Sequence, residues 1–214
     1  MRRIAVLASG SGTNLQALFD AIACGTLDAE VALVVSNRAE AGALRLAADA
    51  GVAAVSLPLT GRHDPVARKE FDLLLADVLC AFKPDLLVLA GWMLILTPAF
   101  LDRFPGRIVN VHPALLPDDG GIEVFTSRGL LPALRGARVV RDALAQRLPV
   151  TGATVHYVTT AVDAGPVILR QEVPVLPDDD ENRLHERIKT VEHQLLPRAV
   201  AMALAAILTS TMEG

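Results

Sequence analysis

The stretch Ile4-Ala-Val-Leu-Ala-Ser-Gly-Ser-Gly-Thr-Asn14 decides the fold class of this chain. It opens with a continuous apolar run, residues 4–8, which is typical of a parallel strand buried on both faces. Apolar residues then recur at helical spacing, at Leu15, Leu18, Phe19 and Ile22. Residues 9–14 therefore form a tight turn from a strand into a helix, and this unit predicts an α/β fold.

The same pairing of strand and helix recurs along the first half of the chain. Apolar runs predict strands at residues 30–36, 53–57, 86–90 and 107–111, and helical spacing predicts helices at residues 41–50 and 66–82. Because crossovers between parallel strands are right-handed, these units predict a doubly wound, Rossmann-like sheet that is mostly parallel. Residues 152–158 and 167–175 predict two more strands, which give the sheet a mixed C-terminal part. We expect Pro197 to kink or break the last helix.

Composition narrows the class of protein. Of 214 residues, 52% are hydrophobic and 21% are charged, which indicates a globular chain rather than a disordered one. The length suits a single α/β domain, residues 1–214. The net charge of -4 argues against nonspecific binding to nucleic acid, where a basic surface is expected.

The ends of the chain and its cysteines bear on its location. Met1-Arg-Arg and the short apolar run after it do not continue as an export signal. The apolar tail, residues 199–208, is shorter than the roughly 20 residues of a membrane span. Cys24 and Cys80 lie in helical patterns among apolar neighbours, so we expect core thiols rather than a disulfide or a metal site. These features predict a cytoplasmic protein with no membrane contact and no bound metal.

The turn Ser9-Gly-Ser-Gly-Thr-Asn14 is a candidate phosphate-binding element. Backbone N–H groups at a helix N-terminus point outward and bind anions, and here they belong to Gly12, Thr13 and Asn14. Thr13 or Asn14 could also cap the helix. The turn lacks the Gly-Lys-Ser/Thr of a Walker loop and the third glycine of a dinucleotide fingerprint. An ordinary tight turn remains the alternative.

The stretch Asn110-Val-His-Pro113 ends the fifth predicted strand. Side chains two apart in a strand point to the same face, so the Asn110 amide and the His112 imidazole leave the strand together. An amide can donate to a carbonyl oxygen, and an imidazole can carry a proton near neutral pH. A lone Asn-x-His is more often structural, but its position beside the other strand ends favours a functional site.

Ligands of doubly wound sheets bind beyond the carboxyl ends of the strands. The glycine turn, His112 and the apolar segment after the fourth strand all lie at such ends. In that segment Met93, Leu94 and Leu96 could line a pocket or pack in the core, and the sequence leaves both interpretations open.

Several stretches resemble the folate-dependent formyltransferase family, and within it the phosphoribosylglycinamide formyltransferases. They occur in family order and cover nearly the whole chain: residues 7–16, 88–93, 110–117, 152–156, 162–168 and 187–193. Asn-x-His-Pro-Ala-Leu-Leu-Pro combined with a later Asp-x-Gly-Pro is specific to enzymes that use formyl folates. The Ser-Gly-Ser-Gly-Thr-Asn turn narrows the resemblance to members that act on glycinamide ribonucleotide.

The resemblance implies a direct formyl transfer, from N10 of 10-formyltetrahydrofolate to the primary amine of glycinamide ribonucleotide, without a metal. Attack by the amine forms a tetrahedral oxyanion that needs preplaced donors, a role that the resemblance gives to Asn110 and protonated His112. His112 or an ordered water would relay the proton from the amine to the leaving N10. Asp163 would favour the charged imidazole of His112 by proximity.

The resemblance also implies which residues bind the two small molecules. For the ribonucleotide they are the backbone of Gly12, Thr13 and Asn14, with Lys189 and Glu192. For the folate they are Arg68, Met93, Leu94, Ile95, Leu96, Asn110, Thr159 and Val162. Taken alone, Lys189, Glu192 and Arg68 are ordinary charges on helix surfaces.

The chain departs from the family pattern in two places. Leu94 stands where relatives usually have arginine, so a charge near the folate site is lost. Alignment with the family pattern predicts an inserted loop at residues 118–132, directly after residues 110–117, with Arg135 in place of the proline of a family turn. The insertion could act as a lid, be neutral or impair activity, and the sequence does not choose among these.

Other functions compete with the transferase. A formyl-folate hydrolase or a methionyl-tRNA formyltransferase would each be expected to carry a further domain, for which this chain has no room. A catalytically impaired folate- or nucleotide-binding relative is a third reading, against which Asn110, His112 and Asp163 argue. A dehydrogenase is disfavoured because Ser36-Asn37 replaces the acid expected after the second strand. The oligomeric state is left open, a homodimer included.

Overall fold

The computed structural model describes residues 1–61 and 64–212, and for residues 209–212 only the backbone. Helices and strands alternate through the first half, as the sequence predicts. The strands are β1 (Arg2–Leu7), β2 (Ala29–Ser36), β3 (Ala54–Ser56), β4 (Leu86–Leu89), β5 (Ile108–His112), β6 (Glu123–Thr126), β7 (Gly129–Pro132), β8 (Val150–Tyr157) and β9 (Val167–Pro174). The helices are α1 (Thr13–Ala23), α2 (Gly42–Asp49), α3 (Pro65–Ala81), α4 (Pro98–Leu101), α5 (Val139–Ala145) and α6 (Glu181–Met212).

The main sheet confirms the predicted doubly wound topology. Its strand order is β3-β2-β1-β4-β5-β8-β9. The first five of these strands are parallel, whereas β8 runs antiparallel to β5 and β9 runs antiparallel to β8. The mixed C-terminal part is therefore present, and β9, which ends at Pro174, is an edge strand.

Side chains of β1 show how the sheet is covered on both faces. Ile4 and Val6 belong to a core shared with α1, α2, α5 and α6, whereas Ala5 and Leu7 belong to a second core beneath α3 and α4. All four side chains are fully buried. Burial on both faces explains why the first strand reads as an unbroken apolar run.

Of the two expectations for Pro197, a kink or a break in the last helix, α6 shows that the break is wrong. The helix is continuous, and Pro197 lies inside it. Leu195, Leu196, Ala199 and Val200, on either side of the proline, are all buried in one core. Packing on both sides therefore holds the helix together where the backbone loses a hydrogen bond.

The continuity of α6 also changes the membrane argument. By length and composition alone, Glu181–Leu208 could cross a membrane. Buried core helices meet the same criterion, and Leu184, Ile188 and Leu204 of α6 pack in the core above β8 and β9. The hydropathy of α6 is thus explained by burial within the fold.

Residues 123–132 of the expected inserted loop form a hairpin, and only residues 118–122 and the turn at 127–128 are loops. Strands β6 and β7 pair antiparallel, and Ser127-Arg128 connects them before Gly129, whose φ is 96°. Val124 points inward and is buried, whereas its neighbour Phe125 is 78% exposed. This alternation is the signature of a short two-stranded ribbon with one covered face.

One cysteine differs from its prediction. Cys24 follows the last residue of α1 and is exposed, because the helix ends before it can turn that side chain into the core. Cys80 is partly buried beside the core under α3. Both thiols are free.

Candidate active site

A cavity of about 500 Å³ lies at the carboxyl ends of β1, β4 and β5. The turn after β1, the segment after β4 and the end of β5 all line it, so the predicted meeting of three strand ends is present. Nearly every predicted site residue borders this space: Gly12, Thr13, Asn14, Met93, Leu94, Ile95, Leu96, Asn110, His112, Thr159, Val162, Asp163, Lys189 and Glu192.

The glycine turn presents the open N-terminus of α1 to the cavity. Gly12 is the N-cap residue, with a φ of 87°, and no side chain caps the helix. A Cβ at Gly12 would lie 2.8 Å from the Cα of Ala43, so only glycine fits here. The expected capping by Thr13 or Asn14 is therefore wrong, and the first N–H groups of α1 are left without a side-chain acceptor. Such a helix end attracts an anion.

The Asn14 side chain, free of a capping role, contacts α6 instead. Its Nδ2 donates to Oε2 of Glu192 at 2.8 Å, and its Oδ1 has no hydrogen-bond partner. Burial raises the pKa of Glu192, against the lowering effects of the Asn14 amide and of Lys189. A buried carboxyl group thus lies beside the anion-binding turn, where it can accept hydrogen bonds from hydroxyl or amine groups of a ligand.

The side chain of Asn110 is held by His156, which lies directly opposite it on β8. Nδ1 of His156 lies 2.9 Å from the carbonyl oxygen of Tyr157, and a carbonyl only accepts, so Nδ1 carries the proton. Nε2 therefore accepts from Nδ2 of Asn110 at 3.2 Å. Burial lowers the pKa of His156, which keeps this nitrogen unprotonated. The second N–H of the Asn110 amide is left for a ligand.

His112 is buried at the end of β5, and its ring is oriented by two neighbours. Nε2 donates to the carbonyl oxygen of Leu134 at 2.9 Å. Nδ1 lies 3.6 Å from Oδ2 of Asp163, which is longer than a direct hydrogen bond. In the neutral ring, Nδ1 therefore offers its lone pair on the side of the cavity and Asp163.

The protonation of His112 differs from the sequence-based expectation. Burial lowers the pKa of His112, and this outweighs the opposing effects of the Asp163 charge and the Leu134 carbonyl. Arg135 lowers the pKa further. Asp163 does favour the charged imidazole, as predicted, but desolvation is the larger effect, so the pKa of His112 is lowered and the neutral ring is favoured.

Asp163 lies between the two histidines. Its Oδ1 is 3.7 Å from Nε2 of His156, and its Oδ2 accepts from the backbone N–H of Gly136 at 2.9 Å. The backbone of Asp163 has a φ of 49°, a left-handed conformation that is uncommon for residues other than glycine. One carboxylate thus faces both Asn110–His156 and His112.

An apolar wall forms another part of the cavity. Met93, Ile95 and Val162 are 49%, 70% and 45% exposed, which is unusual for apolar side chains and leaves them available to a ligand. Leu94 and Leu96 are only 7% exposed and belong to the core beneath α3. In this segment Met93 therefore exposes apolar surface to the cavity, as one interpretation predicts, whereas Leu94 and Leu96 pack mainly in the core, as the other predicts.

Arg68 is the one predicted site residue that does not border the cavity. Its Nη2 donates to Oδ1 of the buried Asp72 at 2.8 Å and to the carbonyl oxygen of Ile95 at 2.5 Å. The carboxylate of Asp72 in turn accepts from the backbone N–H of Thr97. Arg68 thus stabilises the apolar segment through the backbone of Ile95. Its side chain is mostly buried, so it is not the solvated charge that its helical position suggests.

Comparison with known proteins gives one consistent answer. The formyl transferase family model matches residues 2–200. The phosphoribosylglycinamide formyltransferase of Mycobacterium tuberculosis is 45% identical over 199 residues, which cover 93% of this chain and 83% of that protein. The chain belongs to the phosphoribosylglycinamide formyltransferase family.

Two further relatives fit this family. The phosphoribosylglycinamide formyltransferase of Escherichia coli is 37% identical over 198 residues, covering 92% of this chain and 85% of that one. The crystal structure of glycinamide ribonucleotide transformylase 1 from Symbiobacterium toebii superposes with a TM-score of 0.82 at 41% identity, over 96% of this chain and 89% of that chain. The family's fold therefore extends over nearly the whole chain.

Some residues of this formyltransferase cavity were given no role from the sequence. His156 orients Asn110, Leu134 orients His112, and His185 of α6 lines the cavity. For His156 a signal existed, because it ends residues 152–156, one of the stretches that resemble the family. Nothing in the sequence pairs Leu134 with His112.

Proposed function

We propose that this chain transfers the formyl group of 10-formyltetrahydrofolate to the primary amine of glycinamide ribonucleotide, by direct attack through a tetrahedral intermediate. The observation that carries the proposal is the meeting of Asn110, His112 and Asp163 in one cavity with an open helix N-terminus and an apolar wall. The reaction belongs to purine biosynthesis, and we propose a cytoplasmic setting for it.

The two substrates fit opposite parts of the cavity. The ribose phosphate is assigned to the N–H groups of residues 12–14, where the α1 dipole and the absence of a side-chain cap favour an anion. Glu192 and Lys189 lie beside this turn, and we assign to them the ribose and glycinamide end. The apolar rings of the folate are assigned to Met93, Ile95 and Val162, whose exposed surfaces would be covered by the ligand.

Asn110 is suited to the developing oxyanion. When the amine attacks the formyl carbon, the carbonyl oxygen gains negative charge and needs donors that are already in place. The free N–H of the Asn110 amide is such a donor, because His156 fixes the amide from the other side. A preoriented donor requires little rearrangement as the charge develops, which is what lowers the barrier.

His112 is suited to moving the proton. The neutral ring can accept a proton at Nδ1 from the attacking amine, and the imidazolium that forms is stabilised by Asp163 at 3.6 Å. The same proton can then pass to N10 of the folate as the carbon–nitrogen bond breaks, directly or through a water. The lowered pKa suits this cycle, since the ring begins as a base and becomes an acid only within the reaction.

A spectrophotometric assay tests the proposal. Purified protein is mixed with a 10-formyl folate donor, with and without glycinamide ribonucleotide, and release of the deformylated folate is followed. We expect release that depends on the ribonucleotide. Release without it would indicate a hydrolase, and no release from protein that still binds folate would indicate an impaired relative. Binding can be followed through Trp92, the chain's single tryptophan, which borders the cavity.

A further inference from the structure

The hairpin of residues 118–132 lies beside the loop that carries Asp163 and does not cover the cavity. Of the residues that border the cavity, none belongs to the hairpin. Its turn is fixed to edge strand β9 through the backbone N–H of Ser127, which donates to Oε1 of Glu172 at 2.7 Å. Its base is fixed to the same strand by an ion pair between Asp118 and Arg170 at 3.0 Å. The hairpin is thus attached to β9, outside the lining of the cavity.

Arg135 connects this anchored segment to the catalytic loop. Its Nε donates to the backbone oxygen of Asp163 at 2.9 Å. Its Nη2 donates to the backbone oxygens of Gly120 and Gly121, at 3.0 and 2.5 Å. A planar guanidinium with several fixed donors suits such a link, whereas an ammonium group cannot reproduce its geometry.

Two further contacts reinforce the link. The backbone of Gly120 approaches the loop so closely that a Cβ there would lie 2.9 Å from the carbonyl oxygen of Ala164, the residue after Asp163. On the other side, the N–H of Gly136, the residue after Arg135, donates to the Asp163 carboxylate. The backbone and the carboxylate of Asp163 are therefore both held from residues 120–136.

We propose that Arg135 is a positioning residue, which fixes the Asp163 loop against the hairpin base and so holds the Asp163 carboxylate between His112 and His156. The inference rests on the proposed function, since Asp163 acts in that reaction. Residues 118–132 and Arg135 then act together, because the guanidinium finds two of its acceptors at Gly120 and Gly121.

The expected kinetic effect of removing this link is on turnover rather than on binding. Arg135 contacts neither proposed substrate site, so Arg135→Ala leaves the cavity walls in place. A displacement of a catalytic group by about 1 Å can cost on the order of 100-fold in rate. We expect kcat to fall by about 10- to 100-fold, with both KM values within about threefold of wild type.

The test measures kcat, both KM values and the melting temperature of four proteins: wild type, Arg135→Ala, Arg135→Lys and Arg141→Ala. Arg141 is exposed on the neighbouring helix α5 and is the matched control, expected to behave as wild type. Lysine can replace only part of the guanidinium's contacts, so Arg135→Lys should recover part of the lost kcat. Gly120→Ala, which disturbs the same contact from the hairpin side, should lower kcat in the same way.

A second measurement does not depend on activity. Hydrogen exchange of the Gly136 N–H reports whether the Asp163 carboxylate keeps its place, and we expect exchange at least tenfold faster in Arg135→Ala than in Arg141→Ala. Wild-type kcat in Arg135→Ala, unchanged Gly136 exchange, or a loss of activity that only follows the loss of folded protein would each overturn the inference. An inactive wild type would instead overturn the proposed function, and Gly136 exchange would then decide the role of Arg135 alone.

Discussion

The parallel half of the sheet and its antiparallel edge place catalytic groups in different ways. Asn110 and His112 lie at the end of β5, whose backbone pairs with β4 and β8 and whose Val109 and Val111 are buried in the core. Asp163 lies in the loop between β8 and β9 and is held by polar contacts from residues 120–136. Two of the three proposed catalytic residues thus lie on a strand of the main sheet, whereas the third depends on polar contacts from residues outside that sheet.

The largest expected effect tests whether the two halves act as one catalytic unit. We predict that His112→Ala and Asp163→Asn each lower kcat by at least about 10³-fold, because each removes part of one proton-transfer system. Residues that act as a unit are strongly non-additive, so the double variant should be little worse than either single one. Steady-state kinetics of the three variants measures this.

Folate binding, followed by Trp92 fluorescence, is the control for these variants and should change little. Near-wild-type turnover in either single variant would remove that residue from the mechanism. Fully additive losses would instead mean that His112 and Asp163 act at separate steps, and the contrast between the two halves would lose its catalytic meaning.

The second prediction compares the halves in stability. Leu75 of α3 is fully buried under the parallel sheet, whereas Phe125 of the hairpin is largely exposed. Leu75→Ala should reduce the free energy of unfolding by about 2–5 kcal/mol, through lost burial and a residual cavity. Phe125→Ala should change it by no more than about 0.5 kcal/mol. Urea unfolding at equilibrium gives both values, and a large loss in Phe125→Ala would show that the hairpin is part of the cooperative core.

The third prediction concerns Asn110, which lies on β5 of the parallel half and whose amide is hydrogen-bonded to His156 on the antiparallel strand β8. Asn110→Ala should lower kcat by about 10²- to 10³-fold, as removal of one oxyanion donor does elsewhere, with little change in KM. His156→Ala should give a smaller loss of kcat, because the donor remains and only its orientation is freed. A pure rise in KM for Asn110→Ala would contradict its role in the transition state.

The sequence predicts the parallel half far better than the edge. Apolar runs and helical spacing give β1, β4 and α3 to within a residue or two, since burial on both faces leaves a plain pattern. The hairpin was missed because β6 and β7 are each only four residues long, too short for alternation to stand out from a loop. The predicted break at Pro197 is wrong because neighbours on both sides of it are buried in the core, which helix propensity alone does not show.

The same division applies to the candidate site. The residue types of Asn110, His112 and Asp163, with the family resemblance, predict which groups gather in the cavity. The pKa of His112 could not be predicted from the sequence, because it depends on how deeply the ring is buried and on Leu134 and Arg135. Those two residues follow the β6–β7 hairpin, where no sequence pattern gives their distance from the ring.

The smallest expected effect is on the pH dependence of the free energy of unfolding. It is measured for one histidine from each half of the sheet, His112 on β5 and His156 on β8. Burial lowers the pKa of both His112 and His156 below the ordinary value of 6.5, so between that value and their folded pKa the unfolded chain binds more protons. Their contribution to stability is complete above pH 6.5 and is lost as the pH falls. Glu192 acts in the opposite sense, since burial raises its pKa above 4.5 and the folded chain gains its proton first.

Urea unfolding at pH 8.0, 6.5, 5.5 and 4.5 separates these contributions. We predict that His112→Gln and His156→Gln each reduce the loss of stability between pH 6.5 and 5.5, whereas Glu192→Gln increases the loss of stability as the pH falls further towards 4.5. If only His112→Gln had an effect, the histidine contribution to the pH dependence of stability would come from β5 alone. Equal effects would mean that burial of a neutral His156 affects stability as much as burial of a neutral His112. Protonation of His156 would also break its hydrogen bond with Asn110, because a protonated Nε2 can no longer accept from the amide.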